Sequence, residues 1–252
     1  MKSLGGIRVK SAVVQAKGLE YDRRWMLIDE QGTFISQREQ PILCRFLLQR
    51  EKEHFVITYG EEQILLDPRQ SASGQEIRVR IWDDEVIARE VSVAHSQWFS
   101  NALQRNVKLV FFPEENRRLA DPDYATPGAQ VSLADGFPLL LIGTAALDDL
   151  NSRLEQTVGM NRFRPNLVVD GIGPFEEDNW RDFAIGSNRF VAVKPCGRCV
   201  MTTINPETAH AGKEPLATLS RFRNSNGKVL FGQNIIPIDH REIKEGDEII
   251  LH

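Results

Sequence analysis

Residues 1–90 alternate short apolar runs with turn residues, the pattern of strands joined tightly. "WMLID" and "TFISQ" flank Glu30-Gln31-Gly32, and Gly32 can supply the positive φ that a hairpin turn needs. "HFVITYGEEQILLD" repeats the arrangement around Gly60, and "EIRVRIWDDEVIAREV" predicts another pair turning at Asp83-Asp84. The strict alternation of "IRVRI" implies one buried and one wet face. The period then changes. "HSQWFSNALQRN" places Trp98, Phe99, Ala102 and Leu103 on one side of a short amphipathic helix. Residues 115–138, rich in Pro, Asp and Gly and without periodicity, predict a long loop. Loops of that length inside a compact protein are usually functional or linkers. A domain boundary is therefore expected just before it, giving residues 1–114 and 115–252.

Beyond the loop, "GTAALDDLNSRLEQ" predicts a helix with Thr144 as its N-cap and Leu147, Leu150 and Leu154 along one face. "NLVVDG", "RFVAV" and "DEIILH" read as strands. "KEPLATLSRF" reads as a short helix with Pro215 suited to its first turn. No repeat or low-complexity tract interrupts the chain. The expected fold class is α+β and β-rich: an N-terminal β-barrel-like domain followed by a second barrel with a few packed helices.

Composition narrows the function classes. The 252 residues are 41% apolar and 26% charged, the balance of a globular protein with ample core. No window approaches the eighteen apolar residues of a membrane span, and "MKSLGGIRVKSA" lacks the apolar core of a secretory signal. A net charge of −4 without a long Lys/Arg run argues against general nucleic-acid binding. Three cysteines, Cys44, Cys196 and Cys199, favour a cytoplasmic protein with reduced thiols.

Two of these cysteines sit in "VKPCGRCVMTTINPETA". Structural zinc wants four N/S ligands, and no second C-x-x-C or H-x-x-x-H accompanies the pair. A thioredoxin-like redox pair needs a helix after the motif, whereas "VMTTIN" is β-branched and reads as extended. Two buried cysteines acting as small apolar residues are the bland alternative. Lys194 and Arg198 bracket the pair, and cations favour an ionised sulfur that attacks or ligates. One thiolate could also bind a soft transition metal whose other ligands come from an organic cofactor.

"KPCGRCVMTTINPETA" resembles the motif of the MOSC domain family. "DPDYATPGAQVSLADGFPLLLIG", "LNSRL", "NRFRPNLVVDG", "KEPLATLSRFR" and "FGQNIIP" recur in that family in the same order. "KSLGG" and "GLEYDRRWMLIDEQGTFISQREQP" look like the β-barrel domain that often precedes MOSC, so the resemblance covers nearly the whole chain. It implies a molybdenum ion of a pterin cofactor on Cys199, with Cys196 close to the metal but unbound. It implies further cofactor contacts from Lys2, Ser3, Arg23, Arg164, Asn166, Gly197, Arg198 and Asn234. Arginine forks suit a ligand that carries a phosphate and a polar heterocycle. On sequence alone, Arg23 and Arg24 at a strand start read more readily as solvated charges than as ligands, Arg164 as an ordinary loop cation, and Asn166 and Asn234 as turn residues. Arg24 replaces the Phe usual in the family. A start at Met1-Lys2-Ser3, without the short strand that relatives carry before this pair, predicts a frayed end.

The activity so implied is reduction of N-hydroxylated small molecules such as amidoximes, hydroxylamines or N-hydroxylated bases. Catalysis centres on Cys199 and its metal, with electrons from a separate flavoprotein or ferredoxin-type donor. Three cysteines cannot supply an iron–sulfur cluster beside a metal ligand, and nothing marks a Schiff-base lysine for pyridoxal phosphate. The alternative is a non-catalytic carrier of molybdenum cofactor or sulfur, with a persulfide on Cys199. No residue identifies itself as a proton donor.

Overall fold

A computed structural model describes residues 1–252. Its architecture is the β-rich α+β class expected, built from four sheets. In the first half, Trp25–Ile28, Lys108–Phe111, Asp84–Glu90 and Glu76–Ile81 pair antiparallel in that order, and Leu47–Glu51, His54–Tyr59 and Glu62–Leu66 form a second meander. In the second half, seven strands form one sheet around the long central pair Asn188–Arg198 and Lys228–Pro237. The fourth sheet joins the halves: Ser11–Gln15 pairs with Gly18–Leu19 and with Glu242–Lys244.

Alternation sets the registers. Val79, Ile81, Val86 and Ala88 all face one apolar cluster, so the two strands that carry them pair through Ile81 and Asp84. That leaves Trp82 and Asp83 as the turn, one residue earlier than expected, with Trp82 at φ 56°. The Gly60 hairpin forms as expected, between His54–Tyr59 and Glu62–Leu66, with Gly60 at φ 61°. After Gly32 the chain returns only as far as a bridge between Ile28 and Phe34, because Phe34 and Gly32 bond to Arg80 on the neighbouring strand instead.

The helix of Trp98 and Phe99 spans Val93–Leu103 and is capped by Ser92, whose hydroxyl accepts the His95 N–H at 3.2 Å. The later helix runs Thr144–Asn151, and its N-cap is Gly143 rather than Thr144. A buried carboxylate holds the position before it: Glu177 Oε1 accepts the Gly143 N–H at 3.0 Å, while the Thr144 hydroxyl donates to Asp170 at 2.7 Å instead of capping the first turn. Burial raises the Glu177 pKa above the usual range. Leu154 lies past the helix end yet packs in the same cluster as Leu147 and Leu150. The last helix covers Leu216–Phe222, with Pro215 one step outside it as N-cap and the Glu214 carboxylate accepting the Thr218 N–H.

Two further expectations from the sequence are corrected. Met1, Lys2, Ser3 and Leu4 are buried, not frayed: the Lys2 N–H bonds to Trp25 O at 2.8 Å, and Leu4 belongs to the largest apolar cluster. Arg24 is not a solvated charge. It is 1% exposed, pairs with Glu114 Oε2 at 2.6 Å and donates to Gln15 Oε1 at 2.9 Å, while buried Lys17 holds the same glutamate. One carboxylate thus answers two buried cations, and burial lowers the pKa of both. Glu114→Gln is expected to destabilise the fold by about 1–3 kcal/mol, at the lower end because Glu114 itself is largely exposed. Denaturant unfolding at neutral pH measures this, and an unchanged midpoint would contradict the assignment.

The 115–138 segment is a loop without being a loose linker. The Arg118 guanidinium donates to the carbonyls of Ser132 (2.9 Å), Ala134 (2.6 Å) and Asp135 (2.8 Å) and pairs with Asp84 at 2.7 Å. Leu133 packs into the first-half cluster of Val79 and Ile81, and Val14 into the second-half cluster of Phe183 and Phe190.

Candidate functional site

One pocket opens where the two halves meet, enclosing about 870 Å³ with its solvent-open mouth. The seven-stranded sheet supplies its floor. Leu140 pairs across to Asn234, and its backbone N–H also donates to Asn166 Oδ1 at 3.0 Å, while its carbonyl accepts the Asn166 N–H at 2.8 Å. One residue therefore fixes both asparagines. Gly232, two positions before Asn234, makes this approach possible: its φ is 81°, and a Cβ there would lie 2.6 Å from Ile142 and 2.7 Å from Leu141 O. The strand Asn188–Arg198 slips register between Ala192 and Lys194 and again between Pro195 and Gly197. Such irregularities re-aim side chains beside functional sites. Here they deliver Cys196, Gly197, Arg198 and Cys199 to the pocket wall.

Cys199 follows that strand directly. The residues after it are not extended, as the sequence implied, but form a single 3-10 turn, Val200–Thr203. The Thr202 and Thr203 hydroxyls donate back to the carbonyls of Cys199 (3.0 Å) and Val200 (2.8 Å), which is how a β-branched run closes a turn. Both sulfurs are half-buried, and each receives a guanidinium hydrogen: Arg198 Nη1 donates to Cys196 Sγ at 3.1 Å, and Arg38 Nη2 to Cys199 Sγ at 3.3 Å. Arg198 is anchored by Nη2 to Phe163 O at 2.6 Å, and its Nε is buried without a partner. Nothing lies within 4 Å of where a Cβ on Gly197 would stand, so its backbone faces open space.

The first half contributes the opposite wall. Lys2 Nζ donates to Leu133 O at 2.9 Å and to Asp135 Oδ1 at 2.6 Å. Arg23 pairs with Asp22 and donates to Arg164 O at 2.9 Å; Asp22 also accepts from Asn166 Nδ2 at 2.7 Å. Arg164 in turn donates to Leu4 O. Three of these wall residues, Ser3 (φ 65°), Arg23 (φ 48°) and Arg164 (φ 57°), hold left-handed backbones that cost side-chain-bearing residues energy. Strain of this kind persists where surrounding contacts over-determine the chain, and it concentrates at ligand clamps.

Charge is heavily biased. Lys2, Arg23, Arg38, Arg162, Arg164 and Arg198 line the pocket against one carboxylate, Asp135. Burial lowers the Lys2 ammonium to about 8 despite the nearby Asp135, and burial with the neighbouring Arg23 charge lowers Arg164 to about 10. Burial would raise Asp135, yet Lys2 and then Arg38 hold it well below the carboxylate range. Lys2 sits below its unfolded value near 10.5, so the cost of burying its charge is present below pH 8 and is relieved between about 8 and 10.5. Sulfate, whose own charge is fixed in this range, is therefore expected to bind the cofactor-free protein progressively more weakly above pH 8. In Lys2→Met the part of that fall centred near pH 8 should vanish, leaving the later fall near pH 10 that belongs to Arg164. Calorimetric titration at several pH values decides it.

All the residues suggested by the family resemblance come together here: Lys2, Ser3, Arg23, Arg164, Asn166, Gly197, Arg198, Cys199 and Asn234 line this one pocket. Arg38, Arg162 and Asp135 line it too and escaped sequence reasoning. Arg38 lies inside "FISQREQP" and Asp135 inside "VSLADGFP", both already part of the recognised pattern, so the signal was at hand. A phosphorylated pterin cofactor suits this donor set. The cation excess and the unpartnered Arg198 Nε call for an anionic acceptor, and the half-buried thiol offers a soft ligand.

Two family models match the chain. Residues 1–106 match the MOSC N-terminal beta barrel domain and residues 128–250 the MOSC domain. The chain is similar to mitochondrial amidoxime-reducing component 1 of Mus musculus, 32% identical over all of this chain and 79% of that protein. It is similar to mitochondrial amidoxime reducing component 2 of Bos taurus, 32% identical over 88% of this chain and 69% of that one. Molybdenum cofactor sulfurase of Oryza sativa subsp. japonica is 31% identical over 98% of this chain and 32% of its own length.

Proposed function

Because the chain belongs to the MOSC family, we propose that its pocket holds a molybdenum cofactor and that the protein reduces N-hydroxylated small molecules. The observation that carries this reading is the convergence of nine residues, drawn from both ends and the middle of the chain, on one cation-lined pocket with a half-buried thiol. Cys199 is the metal ligand, and Cys196 stays beside it, held by Arg198. Lys2, Arg23, Arg164 and Arg198 neutralise the phosphate and polarise the heterocycle's acceptors, while Ser3, Asn166, Gly197 and Asn234 supply neutral contacts. When bound, the cofactor supplies the two-electron chemistry that removes an oxygen from nitrogen. The protein's own part is to fix the ligand sulfur, surround it with positive charge and leave the mouth open to a small substrate. The division into residues 1–114 and 115–252 belongs to this proposal, as does a cytoplasmic setting that keeps the three free thiols reduced. No helix is long and apolar enough to cross a membrane.

Protein loaded with molybdenum should convert benzamidoxime to benzamidine when reduced viologen supplies electrons. The similarity to a molybdenum cofactor sulfurase favours a second reading, a carrier of cofactor or sulfur on Cys199. Loaded protein that leaves benzamidoxime untouched would reject the reductase and support the carrier.

A further inference from the structure

Arg38 reaches Cys199 Sγ at 3.3 Å from a segment far away in sequence. A guanidinium on a flexible stem holds such a position only when something else fixes it. Asp135 Oδ2 lies 3.6 Å from it, and the Trp82 ring covers it, with the guanidinium carbon 4.7 Å from the ring centre. Trp82 also donates from Nε1 to Asp135 Oδ1 at 3.3 Å and packs against Phe34 at 5.0 Å between ring centres. Lys2, which bonds the same Asp135 oxygen, lies over the other aromatic of the pair, 4.9 Å from the Phe34 ring centre.

Neither core packing nor turn chemistry accounts for a tryptophan here. The side chain is 43% exposed, at the tip of the hairpin between Glu76–Ile81 and Asp84–Glu90. Its backbone stands at φ 56°, where two-residue hairpin turns favour Asn, Asp or Gly and a bulky residue is out of place. Backbone strain held in place by tertiary contacts marks functional sites, and the contacts that hold this one are Arg38, Asp135 and Phe34.

We propose that Trp82 is a positioning residue for the Cys199 sulfur, acting through Arg38. The indole stacks on the guanidinium and steadies its counter-ion, so that one N–H stays aimed at the sulfur. This rests on the reading of Cys199 as the metal ligand. Hydrogen-bonding partners of a ligand typically change metal affinity 10–100-fold when removed.

The test compares wild type, Cys199→Ser, Arg38→Ala, Trp82→Phe, Trp82→Gly and the Arg38→Ala/Trp82→Gly double variant, all made in a cofactor-producing host. Two quantities are followed: the half-time of molybdenum loss on dialysis, and the electron paramagnetic resonance signal of the one-electron-reduced metal. Glycine takes the left-handed backbone without strain, so Trp82→Gly keeps the hairpin while removing the ring. Trp82→Gly and Arg38→Ala should each shorten the half-time roughly tenfold and share one shifted signal. The double variant should lose metal no faster than Arg38→Ala, since the tryptophan acts through the arginine. Trp82→Phe, which keeps a stacking ring but not the N–H, should fall between. Wild-type retention and signal in Trp82→Gly, or additive losses in the double variant, overturn the proposal alone. A wild type without molybdenum, or Cys199→Ser that retains it, overturns the ligand reading and the proposal together.

Discussion

Cys199→Ser is expected to stay folded, lose its molybdenum and fall to background turnover of benzamidoxime, whereas Cys196→Ser keeps the metal. The difference follows from position and donor chemistry. A serine oxygen is a hard donor that remains protonated at neutral pH, and it replaces a soft sulfur that a transition metal prefers. Cys199 stands outside all four apolar clusters, so its replacement leaves no cavity in a core. Its hydrogen-bond partner, Arg38, keeps its other contacts with Asp135 and Trp82. Cys196 is placed differently. Its partner Arg198 is anchored independently on Phe163 O at 2.6 Å, so Cys196→Ser leaves that guanidinium facing the pocket. Metal analysis of the two purified variants, beside their melting curves, gives the answer. Equal metal loss in both would indicate a paired dithiol site instead of a single ligand.

The second large effect concerns electrons. The purified, loaded protein is expected to show no reduction of benzamidoxime with NADH or NADPH alone, and steady reduction once viologen or a reconstituted flavoprotein or ferredoxin-type reductase is added. The chain has no G-x-G-x-x-G sequence opening a helix after a strand, which is how a dinucleotide's pyrophosphate is usually received. Its three cysteines are separate free thiols, two at the pocket and Cys44 buried within the 3-10 segment Pro41–Arg45. No four-thiolate cluster can be assembled from them beside a metal ligand. On the proposed reaction each turnover consumes two electrons, and their supply is assigned to a separate donor. Steady turnover from NADPH by the pure protein would refute this requirement.

The strands were the most legible part of the sequence because alternation reports directly on a half-buried sheet. The pair Glu76–Ile81 and Asp84–Glu90 was placed correctly, and its turn missed by one residue because the register follows the one apolar cluster that Val79, Ile81, Val86 and Ala88 share across the two strands. The N-cap of Thr144–Asn151 was misassigned for the same kind of reason. A threonine is the better local cap, but the Thr144 hydroxyl is engaged by Asp170, and Glu177 from elsewhere in the chain holds the Gly143 N–H. The fate of Lys2 and Ser3 was invisible to local rules, which treat chain ends as loose, since their burial depends on Leu133, Asp135 and Trp25. Buried Arg24 likewise depends on Glu114, across the length of the first half. The pocket residues became legible through an ordered set of family motifs; spacing alone left each of them a surface cation or a turn residue. Arg38 shows the limit of that route, for it lies within a recognised motif and acquires its meaning only when the fold sets it 3.3 Å from Cys199.

The central claim is that this pocket holds a molybdenum cofactor. Its most direct test is the molybdenum and pterin content of the wild-type chain, made in a host that produces the cofactor and that loads a known molybdoenzyme in a parallel culture. The account predicts molybdenum and pterin in equal amounts, approaching one of each per chain. Protein that emerges folded but free of both, while the parallel enzyme is fully loaded, would contradict it.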